Sequence, residues 1–179
     1  MTISDFTAFE RLQTAVDAAG VGTWDYDLVA DTLTWSPRCK ELFGVPAEAS
    51  VTYADFVELL HPDDRAATVA AVEQALDPAG PGSYDIEYRT RWQDARTEPC
   101  VARATGRAFF NEARTQAVRF IGTITDITAQ RRTQEQLERA YQDLEVKVTF
   151  RNLELEHEVQ RLRALLAAAE NAIPGSANR

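Results

Sequence analysis

The sequence is poor in the residues that build disulfide frameworks, metal centres and membrane anchors. It has two cysteines, Cys39 and Cys100, with no CxxC spacing between them, and two histidines, His61 and His157, far apart in the chain. A disulfide scaffold and a clustered metal site are therefore excluded, and the cysteines read as reduced, packed thiols. No run approaches the roughly 18 apolar residues that span a bilayer, and the N-terminus, with Asp5 and Glu10, lacks a secretory signal's charge and apolar block. A cytoplasmic protein without membrane contact is expected. Basic residues are outnumbered, 19 to 28, and no basic stripe with interleaved aromatics offsets that balance, which argues against nucleic acid as a partner.

What the sequence does have is pattern. Phe6, Phe9, Leu12, Val16 and Ala19 recur at three and four, predicting an amphipathic helix over 1–20 that Gly20 ends. Its apolar face needs cover from its own domain or from a partner copy. Residues 22–36 alternate around Asp31-Thr32 and predict a hairpin. Three short helices follow: one capped by Ser36, with Pro37 at its first position and Gly44 at its end; one opened by a Thr52/Asp55 capping box; one begun by Pro62, with Asp63 and Asp64 in its first turn and Val69, Val72 and Leu76 as its apolar face. From Ser83 the period becomes two, with Tyr84, Ile86, Tyr88, Thr90 and Trp92 on one side. Two further strands, 100–110 and 118–127, are joined by a polar loop. The prediction is an α+β domain over 21–128 on one five-stranded antiparallel sheet with short flanking helices.

After Ile127 the pattern changes again. Leu137, Tyr141, Leu144, Val148, Leu155, Val159, Leu162 and Leu166 mark one seam of a continuous helix over 129–170, followed by a flexible tail over 171–179. Arg151 occupies an expected seam position, and the step from Leu155 to Val159 is four where three is due, a stutter that locally unwinds a left-handed coil. Such a helix extends roughly 60 Å at 1.5 Å per residue, which calls for a partner helix.

Several segments together resemble one family: Gly22-Thr23-Trp24-Asp25-Tyr26-Asp27, Leu33-Thr34-Trp35-Ser36, Leu42-Phe43-Gly44, His61-Pro62-Asp63-Asp64-Arg65, Tyr84-Asp85-Ile86-Glu87-Tyr88-Arg89 and Gly122-Thr123-Ile124-Thr125-Asp126-Ile127-Thr128. In order and spacing, residues 10–128 resemble the PAS sensor domains of bacterial signalling proteins. The resemblance implies a sheet that encloses a pocket and a signal passed through the element after the last strand. Two departures are an Asp94-Ala95 turn where the family uses Asp-Gly, and Cys100 in place of an aromatic residue, which would leave the pocket or the sheet face smaller.

Candidate sites divide between chemistry and packing. His61 precedes Pro62 in a helix-start motif without a second ligand, and the helix from Arg65 to Leu76, where haem-binding relatives place a histidine, has none, which argues against haem. Neither cysteine stands in the Asn-Cys-Arg context of light-sensing flavin relatives, which argues against that flavin. No cofactor is identified. His157-Glu158 lacks the context of a phospho-acceptor histidine, and Asp63, Asp64, Asp85 and Glu87 read as helix-start and strand-surface carboxylates, so no catalytic set emerges and no enzyme is expected. Trp24, Trp35, Tyr84, Tyr88 and Phe120 read as pocket-lining or core residues. Asp126, Ile127 and Thr128 form the strand-to-helix junction, where either polar side chain is placed to accept from a first-turn N–H. That junction reads both as an inert cap and as a coupling device. The expectation is a parallel homodimer in signal transduction, its interface formed by Phe6, Phe9, Leu12 and Val16 with the coil seam, responding to a small molecule or a partner protein. The alternatives are a ligand-free interaction module and the detached input part of a histidine kinase or diguanylate cyclase.

Overall fold

The computed structural model describes residues 7–90 and 99–172, less the side chains of Phe9 and 170–172. Phe6, Trp92, the Asp94-Ala95 turn and the end of the tail lie outside the described residues, as does the Phe9 side chain. The elements are α1 (Ala8–Ala18), β1 (Gly22–Asp27), β2 (Thr32–Trp35), α2 (Pro37–Phe43), α3 (Tyr53–Leu59), α4 (Pro62–Leu76), β3 (Ser83–Thr90), β4 (Cys100–Phe110), β5 (Ala117–Asp126) and α5 (Thr128–Ala172). All five strands pair antiparallel in the order β2-β1-β5-β4-β3. The chain divides into two units after Arg131.

Local chemistry sets the helix limits. Thr7 with Glu10 and Thr52 with Asp55 form capping boxes at the starts of α1 and α3, and Ser36 Oγ accepts from the Cys39 N–H ahead of α2. Gly44 ends α2 at φ 72°, a conformation glycine adopts without steric cost. The first hairpin differs from expectation by one residue. Asp27 Oδ1 accepts from the N–H groups of Val29 and Ala30 at 3.0 and 2.9 Å, so the turn spans 28–31 and Thr32 already pairs with Asp27 in β2.

The buried side of α4 is also rotated from the expected one. Thr68, Val72 and Ala75 are buried, whereas Val69 and Leu76 are half-buried. Thr68 donates its hydroxyl to the Asp64 carbonyl at 2.8 Å, which satisfies the polar group inside the helix and lets a threonine sit where an apolar residue was expected.

Asp63 and Asp64 do more than complement the helix dipole. Asp64 Oδ2 accepts from the Arg89 backbone N–H and from Nε, both at 2.9 Å, and Oδ1 accepts from Nη2 at 2.7 Å. The His61 N–H donates to the Arg89 carbonyl at 2.9 Å, so the start of α4 is fastened to the outermost strand β3. The bonds from Arg89 outweigh partial burial and hold the Asp64 carboxyl below its ordinary 3.8. A lowered pKa means that this contribution is complete above pH 3.8 and fades as pH falls through the depressed value. Replacing Asp64 with Asn is expected to cost about 1–2 kcal/mol at neutral pH, discounted for the part-exposed guanidinium. That deficit should shrink when urea unfolding is repeated well below 3.8; an equal deficit at both pH values would contradict the pairing.

Candidate functional site

The inner face of the sheet sets large rings against a strip of small residues. On β4, Ala102, Ala104 and Ala108 are buried, and Gly106 lies between Tyr84 and Gly122 in the pairing register. The Trp24 indole rests on Gly106 and Gly122, donates Nε1–H to the Thr123 carbonyl at 3.3 Å, and meets Phe120 edge-on at 4.6 Å. Tyr84 also meets Phe120 edge-on, at 5.4 Å. From the helical side, Trp35 stacks on Phe43 at 4.4 Å. Such edge-on and offset geometries are favoured by ring quadrupoles.

These rings surround a hollow. All five residues read from the sequence as lining or core, Trp24, Trp35, Tyr84, Tyr88 and Phe120, form its wall. Tyr26, Leu33, Cys39, Phe43, Tyr53, Phe56 and Val72 complete it. None of these seven was read from the sequence as lining a pocket, although Tyr26 follows Trp24 at the strand period and Phe56 follows Tyr53 at the helix period, signals that place them facing inward. The free space within the hollow is about 40 Å³. Half-buried Tyr26, Leu33, Tyr53 and Phe56 stand at the more exposed side, where Tyr26 and Tyr53 stack at 5.8 Å and 5°.

No residue of the wall carries a formal charge at neutral pH. Burial pushes the Cys39 thiol up to about 12. Tyr26 rises to about 12, first through burial and then through its 2.6 Å bond to Asp31. Burial likewise raises Tyr53, Tyr84 and Tyr88. The Tyr84 hydroxyl is the one buried side-chain polar atom without a hydrogen-bond partner among the described residues. Leaving such a group unpaired costs about 1–3 kcal/mol.

A second constellation lies where the sheet hands over to α5. Asp126 Oδ1 accepts from the Thr128 N–H at 2.8 Å, as the sequence predicts for a first-turn donor. Thr128 does something else. Its Oγ1 accepts at 2.9 Å from the Val101 N–H of β4, and the Val101 carbonyl accepts from the Ile127 N–H at 2.8 Å. The threonine thus extends the β4–β5 ladder by one rung, because the strand pairing stops at Ala102–Asp126 and leaves the Val101 N–H in need of an acceptor. Arg131, one turn into α5, pairs with Glu87 of β3, so three strands are bonded to one helical turn. Cys100 is buried at this end of β4 and is not part of the hollow's wall, so its smaller side chain bears on the junction and not on the pocket. Burial works against the charged form of Asp126, yet the bonds from Thr128 and Cys100 hold its carboxyl below the usual range.

Of the remaining candidates, His61 and Asp85 have structural partners. His61 Nδ1 accepts from the Asp63 N–H at 3.3 Å, Asp85 pairs with Arg103, and His157 is exposed on α5. Among the described residues no group of three or more histidine, cysteine or acidic side chains is placed to hold a metal ion. No described helix is long and apolar enough to cross a membrane. On α5 the seam residues Leu137, Tyr141, Leu144, Val148, Leu155, Val159, Leu162 and Leu166 are all exposed within the single chain, as is Leu12 of α1; Val16 is half-buried. Val146, Phe150 and Leu153, also exposed, fall on roughly the opposite side of the helix at 100° per residue.

The family model described as the PAS fold matches residues 32–124. A sensory box histidine kinase/response regulator from Burkholderia thailandensis is 30% identical and superposes with a TM-score of 0.60 over 75% of this chain and 98% of that one. Sensor protein FixL of Bradyrhizobium diazoefficiens is 31% identical over 80 residues, which are 45% of this chain and 15% of FixL. The probable diguanylate cyclase DgcE of Escherichia coli is 26% identical over 85 residues, covering 48% of this chain and 8% of that protein. The chain therefore spans less than a fifth of the length of either curated relative.

Proposed function

The chain belongs to the PAS family, and from that premise we propose that it is a cytoplasmic input module that passes a signal from its sheet to α5 and, through a parallel homodimeric coiled coil, to a separate kinase or cyclase effector. The observation that carries this reading is the bonding of β3, β4 and β5 to the first turn of α5 through Glu87–Arg131, Val101–Thr128 and the Asp126 cap. A shift of any of the three strands alters the hydrogen bonds that hold that turn. Beyond it, a helix with an exposed apolar seam gains stability only by covering that seam, and a second copy supplies the complementary surface. The stutter between Arg151 and Val159 weakens register specification, so two coil arrangements close in energy can be biased by a small change at the junction. The module has no catalytic step of its own in this reading.

A small molecule in the hollow is the second element of the proposal, favoured by the unpaired Tyr84 hydroxyl. The transmission step is testable by pulsed electron spin resonance with one label per chain at Asn152→Cys, since native Cys39 and Cys100 are buried and burial raises both thiols. Wild type should give a narrow inter-chain distance distribution. Asp126→Ala and Thr128→Val should broaden or shift it; identical distributions in all three would remove the junction from the signal path.

A further inference from the structure

We infer that the hollow receives an uncharged aromatic molecule of one or two rings bearing a single hydrogen-bonding group, and that the Tyr84 hydroxyl is its polar anchor. This rests on the reading of the hollow as a ligand site.

Three features of the wall define the class. It carries no formal charge among its residues, so an ionised ligand would be buried without a counter-ion, whereas a neutral ring leaves water at little cost. Its surfaces are rings presented edge-on or offset, the arrangement that a further ring extends. Its unmet polar demand is one hydroxyl, on Tyr84, which is 95% buried by its 5% residual exposure. A ligand with one matching group meets that demand.

Size and access limit it further. The free space of about 40 Å³ is smaller than the roughly 150 Å³ cavity that holds a benzene ring, so a ring enters only when part of the wall moves. A ring is therefore admitted by outward rotation of Tyr53 and Phe56, the half-buried side chains of α3. Compounds of more than two fused rings require still more of the wall to move.

The test uses isothermal titration of the full chain with phenol, benzene and benzoate, three probes of one ring size that differ in polar group and charge. Phenol is expected to bind more tightly than benzene to the wild type, and benzoate not at all. Tyr84→Phe, which keeps the ring, is expected to weaken phenol about tenfold while leaving benzene unchanged. Retained benzene binding also reports that the variant is folded, and if it does not fold, the phenol-to-benzene ratio on the wild type still decides. Equal phenol affinity in both proteins, or no phenol preference over benzene, overturns the anchor. Benzoate binding overturns the charge assignment but leaves a ligand site in place. Absence of binding by all three at millimolar concentration overturns both the inference and the hollow as a ligand site, while transmission through α5 stands or falls on the spin-label distances.

Discussion

Gly122→Ala is expected to destabilise the globular unit by about 3 kcal/mol or more, enough to unfold much of a marginally stable domain. An added methyl group at this position would overlap the Thr105 carbonyl oxygen and the Trp24 indole. Neither can yield cheaply. The carbonyl belongs to the β4–β5 ladder, in which Thr105 pairs with Thr123, and the indole is held by its bond to Thr123 and by Phe120. Gly20→Ala is the matched control: nothing lies within 4 Å of its added carbon, so only the left-handed φ of 67° is penalised, at about 1–2 kcal/mol. Urea denaturation followed by tryptophan fluorescence measures both. Similar losses for the two variants would mean that Trp24 does not rest on the glycines.

The double substitution Leu144→Lys with Leu162→Lys is expected to convert a dimer into a monomer and to melt much of α5. In a paired coil, each dimer would bury four leucine side chains at these positions, worth at least about 1.5 kcal/mol each, so the loss is about 6 kcal/mol or some four orders of magnitude in the dissociation constant. Phe150→Lys alters an exposed residue on the far side of the helix from the seam. It should leave the dimer intact. If Phe150→Lys dissociates the chain as effectively as the seam variant, the pairing face is the Val146, Phe150 and Leu153 stripe and the heptad assignment is wrong.

Punctuation and periodicity made most of the fold readable in advance. Ser36, Thr52 and Pro62 state where helices begin because their chemistry acts on the adjacent backbone, and the alternation from Tyr84 to Thr90 states which face of β3 is buried. Where local reading went astray, a contact distant in sequence or a satisfied polar group intervened. Thr68 looks polar and is buried because its own helix accepts the hydroxyl, and Thr128 looks like a helix cap but serves a strand 27 residues earlier. The hollow was legible in part for the same reason. Five of its six strand aromatics stand out by type and alternation, whereas Cys39, Phe43, Tyr53 and Phe56 reach it only after α2 and α3 have packed on the sheet. That the Tyr84 hydroxyl lacks a partner depends on how the whole wall packs around it, which no segment of the sequence encodes by itself.

Sedimentation equilibrium of the unaltered chain at micromolar concentration, with circular dichroism on the same sample, tests most directly whether α5 finds its cover in a second copy. A dimeric mass together with a helical content that includes α5 is the expected result. A single-chain mass across the concentration range, with the helix signal of α5 absent, would contradict it and leave the junction without a transmitting element.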